Sequence, residues 1–313
     1  MGRFIGIDTS CYTTSVAIYD SSAGLIAEER IVLSVKQGDR GLSQSNMVFQ
    51  HTKNLPVILH KLSPLLTNIE GIGVSSFPRR RADSYMPAFL VGKGLAFNLS
   101  SALHVPVYEF SHQENHALAA IRNYPFLWKK PFYMMHLSGG TQDILNCTWN
   151  NEGITFEPLL QSQDITAGQL IDRIGVSLGL KFPCGQMLER LAEQGKHNYH
   201  IPVASVKGKF SFAGPETRIQ KDIKSGRYSK EDIAEGVLAH IGMALERELS
   251  RYLFKEGYPF ILVGGVMSNR YLRNIVTEVV TRKGLIPYLA DITYSSDNSS
   301  GNAFGAYMKS TEK

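Results

Sequence analysis

Cysteine is scarce in this chain. Only Cys11, Cys147 and Cys184 occur among 313 residues, far apart and in no C-x-x-C pair. An odd, scattered set argues against both a disulfide framework and a cysteine zinc site, and a reducing cytoplasm is the expected compartment. No apolar run approaches the roughly 18 residues needed to span a bilayer, so no membrane is expected. The opening Met1-Gly2-Arg3-Phe4 enters a strand pattern at once, without an apolar signal core and small-residue cleavage site. Charge of neither sign dominates: 33 Lys and Arg stand against 28 Asp and Glu, a net of +5, with a pI near 9.0. That mild excess permits contact with an anionic partner such as RNA without requiring one. Hydrophobic residues at 43% and charged residues at 19% give the balance of an ordinary globular protein. The length suits two domains or one large one, with a core that needs no staples.

Strand and helix patterns alternate. Arg3 to Ile7 and Ser15 to Tyr19 read as strands around a small hydroxyl-rich turn, and Leu25 to Val35 as a third strand. Apolar spacing predicts helices over 46–66 and 88–103, with strands at Gly71 to Ser76 and Val105 to Tyr108. The second half repeats this opening. Phe132 to Leu137 is a strand, Ser138-Gly139-Gly140-Thr141 a tight turn, and Asp143 to Trp149 a returning strand. Two hairpins of similar design therefore open two α/β halves, a sign of internal duplication. Helices are expected over 166–179, 185–194, 231–256, 269–283 and 300–308, and a strand over Pro259 to Val263. Alternating elements imply mostly parallel sheets covered on both faces. The boundary is expected within 108–131, where Pro125 and Pro131 flank Trp128-Lys129-Lys130. We divide the chain into 1–108 and 109–299, with a C-terminal helix over 300–313 returning to the first part.

Five motifs carry chemistry. In His112-Gln113-Glu114-Asn115-His116 a spacing of four puts both imidazoles on one helix face, close enough to share a metal. A third ligand must come from elsewhere, and the alternative is two surface histidines that happen to be four apart. Glu114 is displaced by one position from the zincin H-E-x-x-H, which turns it about 100° around the helix, away from a general-base position. The turns Asp8-Thr9-Ser10 and Ser138 to Thr141 offer free amides and hydroxyls to an anion, or are ordinary hairpin turns. Leu262-Val263-Gly264-Gly265-Val266-Met267-Ser268-Asn269 joins a strand to a helix start across two glycines, a nucleotide-sized edge that lacks the dinucleotide fingerprint. Arg79, Arg80 and Arg81 after Pro78 are candidates to clamp a phosphate or an RNA backbone, or form a solvated loop. Within Ser295 to Ser300, Asp297 precedes a helix that it could cap, and it is a hard oxygen donor suited to completing a His/His/carboxylate set.

In order, these motifs resemble the TsaD/Kae/Qri family, once called sialoglycoproteases. The resemblance runs from Gly6-Ile7-Asp8-Thr9-Ser10-Cys11 through His112 to His116, Ser138-Gly139-Gly140, Ala167-Gly168 with Asp172, and Pro183-Cys184-Gly185. It continues through Phe210 to Gly214 and Gly264-Gly265-Val266 with Asn269-Arg270 to Asp297-Asn298. It implies a two-lobed actin/Hsp70-like ATPase fold with duplicated halves and a site at the cleft between lobes. It implies transfer of a threonylcarbamoyl group from threonylcarbamoyl-adenylate to the exocyclic amine of adenosine 37 in tRNA. His112, His116 and Asp297 would hold one divalent metal, iron or zinc. Leu137, Ser138, Gly139, Gly140, Asp172, Gly185, Gly264, Gly265 and Asn269 would bind the adenylate or ATP. Asp8, Ser10 and Arg79 to Arg81 would meet phosphate or RNA. Partners would be tRNA and TsaB/TsaE-like subunits, or a second copy of the chain. Peptidase activity is not expected, since no glutamate sits in the zincin base position.

The chain departs from the family pattern at several loops. Asp8 replaces a glutamate, Tyr12-Thr13 an acidic pair, and Asn115 the glycine of H-x-E-G-H. The histidine of S-G-G-H-T is missing after Gly140. Pro78 to Asp83 replaces a glycine-rich segment, and Glu216 replaces the lysine of S-G-L-K-T. These changes suit a divergent paralogue. The alternatives are a carbamoyl-type transferase on a small acceptor and a nucleotide-binding paralogue without catalysis.

Overall fold

The structure, a computed structural model, describes residues 2–35, 42–81, 83–203, 209–291 and 297–312. Ala82, Ser295 and Ser296, which fall in two of the motifs above, lie outside the described residues. In chain order the first elements are β1 (Arg3–Asp8), β2 (Thr13–Asp20), β3 (Gly24–Val32), α1 (Gln44–Leu62), β4 (Ile69–Phe77), α2 (Phe89–Leu103), β5 (Val107–Ser111) and α3 (His112–Ile121). Then come β6 (Phe132–Leu137), β7 (Gln142–Trp149), β8 (Ile154–Ser162), α4 (Ala167–Ser177), α5 (Gly185–Ala192), β9 (Lys209–Phe210), α6 (Ala213–Ser225) and α7 (Lys230–Arg251). The chain ends with β10 (Pro259–Val263), α8 (Arg270–Arg282), β11 (Ile286–Leu289) and α9 (Ser300–Ser310).

The protein is an α/β protein with two sheets and two compact units. The first unit comprises 1–130, 149–155 and 293–313, the second 131–148 and 156–292. A division at 108 falls inside β5, and the first unit continues through α3 to Lys130. The last helix belongs to that unit.

The first sheet has the order β3-β2-β1-β4-β5. β1 and β2 form an antiparallel hairpin, while β4 runs parallel to β1 and β5 parallel to β4. The second sheet has the order β11-β10-β6-β7-β8-β9. It too contains an antiparallel hairpin, β6 with β7, flanked by parallel β10 and β11. Leaving out β9, both sheets place the hairpin and the parallel strands in the same sequence of positions, as a duplication would.

Alternation along β1 sends its side chains to opposite faces. Ile5 and Ile7 join Val16, Ile18, Leu55, Ile58, Ile72 and Val74 in one core. Phe4, Gly6 and Asp8 face the other way. There Phe4 meets Tyr307 of α9 edge-on, with centroids 5.5 Å apart. Gly6 and Gly73 sit opposite each other in the β1/β4 register, and α9 lies directly on them. A Cβ on Gly6 would strike the Ser299 carbonyl and the Ala303 amide, and one on Gly73 the Asn302 carbonyl. Asn302 then donates to the Ile7 carbonyl at 2.8 Å and to Ser75 Oγ at 2.9 Å, pinning the helix to both strands. The second unit has its own core, in which Leu170, Ile174, Ile241, Leu245, Leu262 and Val276 pack together.

Four elements escaped the sequence pattern: α6, β8, β9 and β11. The helix expected over 231–256 stops at Arg251, where Tyr252 turns extended. The third strand ends at Val32, short of Val35. Among the described residues no helix is long and apolar enough to cross a membrane.

The glycine contact under α9 makes a measurable contrast. Gly73→Ala drives a methyl into helix backbone that has nowhere to yield, and is expected to cost about 2–3 kcal/mol. Gly94→Ala, inside α2 where an added Cβ meets nothing within 4 Å, is expected to gain about 0.5–1 kcal/mol. Urea unfolding of the two variants checks both signs.

Candidate functional site

The chain makes its sharpest chemical feature at the start of α3. Ser111 caps the helix: its side chain accepts from the Glu114 amide at 3.1 Å, and Glu114 Oε2 accepts from the Ser111 amide at 2.7 Å. This reciprocal capping box sets His112 as the first helical residue, and one turn later His116 stands over it. Their Nε2 atoms lie 3.1 Å apart. Two nitrogens at that distance can share one proton at most, so at least one lone pair is presented. Asp297 Oδ1 lies 3.6 Å from His112 Nε2 and 3.7 Å from His116 Nε2. One ligand atom from each of the three residues lies within 4.8 Å of the others. All three residues belong to the first unit.

The surroundings favour a positive charge at this point. Asp8 is fully buried, and its Oδ2 sits 3.5 Å from His112 Nδ1, at ion-pair distance. Burial opposes a charge on His112, but the Asp8 carboxylate outweighs it and holds the imidazole pKa well above its usual value. Burial also raises the Asp297 carboxyl, against the pull of His112. Two imidazoles and a carboxylate converging with a second carboxylate behind them form a donor set that first-row divalent ions accept. Asp297 therefore faces the histidines. The first amide of α9, that of Ser300, is taken instead by the neighbouring Asn298, whose Oδ1 accepts it at 3.0 Å.

The remaining first-unit candidates are spent close by. Ser10 donates its amide and hydroxyl to Asp8, at 3.2 and 2.9 Å. Arg80 donates to both oxygens of Glu114, at 3.0 and 2.9 Å, and to the Glu109 carbonyl at 3.3 Å, with its guanidinium 5.3 Å from the Phe77 ring. Glu114 also accepts from the Ile154 amide at 2.9 Å. The acid set aside as a base is thus an anchor, with three separate groups donating to it. Arg79 is partly exposed and Arg81 exposed.

In the second unit the small-residue turns come together. The Ser138 amide donates to the Thr141 carbonyl at 2.8 Å, closing the turn after β6. Thr166, which caps α4, donates to the Gly139 carbonyl at 2.9 Å. Gly264 has φ of +101°, and its Cα packs where a side chain would strike the Leu137 carbonyl. Asn269 caps α8 through its Oδ1, which accepts from the Leu272 amide at 2.9 Å. Asp172 accepts from the Cys184 amide at 2.8 Å, next to Gly185, and burial raises its pKa. Glu189 of α5 accepts from the Arg270 amide at 2.8 Å, joining α5 to the start of α8. Around Gly139, Gly140, Gly185 and Gly265 an added Cβ would meet nothing within 4 Å, and none of the four has positive φ. The protein's own packing does not require glycine at these positions.

Comparison with known proteins fits this geometry. The family model described as tRNA N6-adenosine threonylcarbamoyltransferase matches residues 85–304. A protein of that name from Thermosipho melanesiensis is 30% identical, over 97% of this chain and 93% of its own length. The chain belongs to the TsaD family. A second relative of the same name, from Persephonella marina, is 27% identical over 99% of this chain and 91% of its own. Among solved structures, T. kodakarensis HypF superposes with a TM-score of 0.62 at 14% identity, covering 99% of this chain and 48% of that one. Component A of the Acidaminococcus fermentans (R)-2-hydroxyglutaryl-CoA dehydratase gives 0.60 at 14% identity, covering both chains fully. These likenesses show the fold, which is the actin-like ATPase fold.

Within this TsaD-family chain, sequence reasoning passed over the anchoring of the histidine helix. The signal was present: Ser111-His112-Gln113-Glu114 is a capping-box pattern. The partnership of Arg80 with Glu114 had no such signal, because 34 residues separate them. Removing one partner of a buried pair strands the other. Arg80→Met is expected to destabilise the protein by about 2–4 kcal/mol, while Arg80→Met combined with Glu114→Gln recovers part of that loss. A double-mutant cycle by thermal unfolding measures the coupling, and a solvated-loop arginine would show almost none.

Proposed function

We propose that this chain is a metal-dependent transferase that moves a threonylcarbamoyl group from threonylcarbamoyl-adenylate to the exocyclic amine of adenosine 37 in tRNA. The observation that carries this reading is the convergence of His112, His116 and Asp297 in a member of the TsaD family. These three residues would hold iron or zinc, with Asp8 behind His112 favouring the imidazole orientation that points Nε2 inward. The ion would supply Lewis acidity toward the carbamoyl oxygen.

The rest of the chemistry falls to the chain's own groups and to the substrates. The adenosine amine forms a bond to the carbamoyl carbon, the bond from that carbon to the adenylate phosphate oxygen breaks, and AMP leaves. The amine gives up one proton to solvent or to the departing phosphate. No side-chain nucleophile is needed. Leu137 to Gly140, Asp172, Gly185, Gly264, Gly265 and Asn269 would bind the adenylate. The open glycines support this, since backbone amides without side chains let a phosphate or ribose approach closely. Asp172 is poised to accept hydrogen bonds from a ligand hydroxyl, because the Cys184 amide occupies only one of its oxygens among the hydrogen bonds given above. Arg79 and Arg81 with the net charge of +5 suit a tRNA backbone. Assembly with TsaB/TsaE-like subunits or with a second copy belongs to the same reading, as does a cytoplasmic location.

His116→Ala and Asp297→Asn are expected to lose metal by more than about 100-fold and to abolish tRNA modification. Elemental analysis and nucleoside chromatography of tRNA incubated with an adenylate source and partner subunits read the two effects. Metal-loaded wild-type protein that carbamoylates a small acceptor and leaves tRNA unmodified would sink the proposal.

A further inference from the structure

Asn115 occupies the position between the two histidines at which the family pattern has glycine. It is fully buried. Its Nδ2 donates to the main-chain carbonyl of Asn298, the residue after Asp297. Its Oδ1 accepts from the Asn302 amide at 2.9 Å. Asn302 lies in the first turn of α9, where helix amides have no partner within the helix. The side chain of one helix therefore caps another, and the same amide grips the backbone that carries the third ligand. The orientation is unambiguous, because one contact is a carbonyl and the other an N–H, and a flipped amide would set like groups against each other. Gly301 completes the fit: a Cβ there would strike the Asn115 carbonyl and the Ala119 amide. α3 and α9 thus touch along their backbones at the level of the site.

We propose that Asn115 is a positioning residue for the metal centre, fixing the spacing between the α3 imidazoles and the Asp297 carboxylate before any ion binds. This rests on the reading of His112, His116 and Asp297 as metal ligands. The reasoning is geometric. Asp297 is followed directly by the gripped carbonyl, and His116 directly follows the gripping residue. A slack of 1 Å between the two segments would cost ligand convergence, because metal–ligand bonds tolerate only a few tenths of an ångström. Glycine at this position cannot make the link, so the clamp is a property of this chain.

The experiment compares wild type with Asn115→Leu, which keeps the branched shape and removes both hydrogen bonds, and with Asn115→Gly, which adds no bulk. Ser75→Ala is the control. It removes the buried β4 hydroxyl that accepts from the Asn302 side chain at 2.9 Å and leaves both Asn115 hydrogen bonds in place. Thermal melting of the metal-free proteins gives the stability loss. Cobalt(II) titration gives stoichiometry, affinity and the ligand-field spectrum that reports coordination geometry. Both Asn115 variants are expected to bind cobalt about 10–100-fold more weakly than wild type, with an altered spectrum. Ser75→Ala is expected to melt earlier with affinity within about twofold of wild type. Variants of Asn115 that melt early but bind cobalt like wild type overturn the positioning role and leave the metal reading intact. Wild-type protein that takes up no stoichiometric cobalt overturns the metal reading itself, and the positioning role with it.

Discussion

The seating of α9 on two glycines is the constraint from which the rest of the first unit follows. Helices usually stand off a sheet by the thickness of their side chains. Here Gly6 and Gly73, side by side in adjacent parallel strands, let helix backbone touch strand backbone. The approach is so close that Asn302 reaches between the strands to the Ile7 carbonyl and Ser75. With α9 fixed there, the residues just before it are fixed as well. Asp297 is delivered next to the end of β1, where Asp8 sits on the same face as Gly6. The histidine helix needs only to lie against α9 to complete the set, and Gly301 permits that second backbone contact. Small residues at three crossings thus do what no ligand residue could do for itself.

Burial of charge is the second constraint, and it explains the arginine segment. Glu114 is almost completely enclosed, so its carboxylate must be satisfied by donors. The capping amide, the Ile154 amide and the two-pronged contact from Arg80 meet that need. The loop that replaces the glycine-rich segment of the family pattern therefore contributes a counter-charge to the base of α3. Both Arg80 bonds come from a single guanidinium nitrogen, Nη2, while the face of the guanidinium lies 5.3 Å from the Phe77 ring. The site thereby gains a rigid helix start, whose first residue is a ligand candidate.

Much of this was legible in the sequence. The hairpins around Asp8 and after Leu137, the strand entering Gly264, the last helix and the His112/His116 spacing all follow from local periodicity, and periodicity is what a sequence shows most directly. The elements that were missed have local reasons. α6 carries glycine and proline in its first turn, Gly214 and Pro215, which look like loop residues although proline is tolerated there. It also buries only Ile219. β11 has four residues with Pro287 among them. The roles of Arg80 and Asn115 are a different matter. Each depends on a partner far along the chain, Glu114 for one and Asn298 for the other, and no pattern within a helix or loop encodes such a partner. Asn115 stood out only as a departure from the family pattern, and the structure turns that departure into a contact.

The two units share a strand order, yet their glycines answer to different neighbours. In the first unit Gly6, Gly73 and Gly301 are met by backbone atoms of the protein, so the fold itself forbids a side chain. In the second unit Gly139, Gly140, Gly185 and Gly265 face open space, with backbone angles that other residues adopt freely. Packing among the described residues does not account for their small size, which suits the adenylate contact proposed for them. Gly264 marks the border between the two cases: its positive φ and its contact with Leu137 are structural, while Gly265 beside it is open. A duplicated framework has in this way been used twice, once to press a helix onto a sheet and bring three ligand candidates together, and once to leave the ends of β6 and β10 bare.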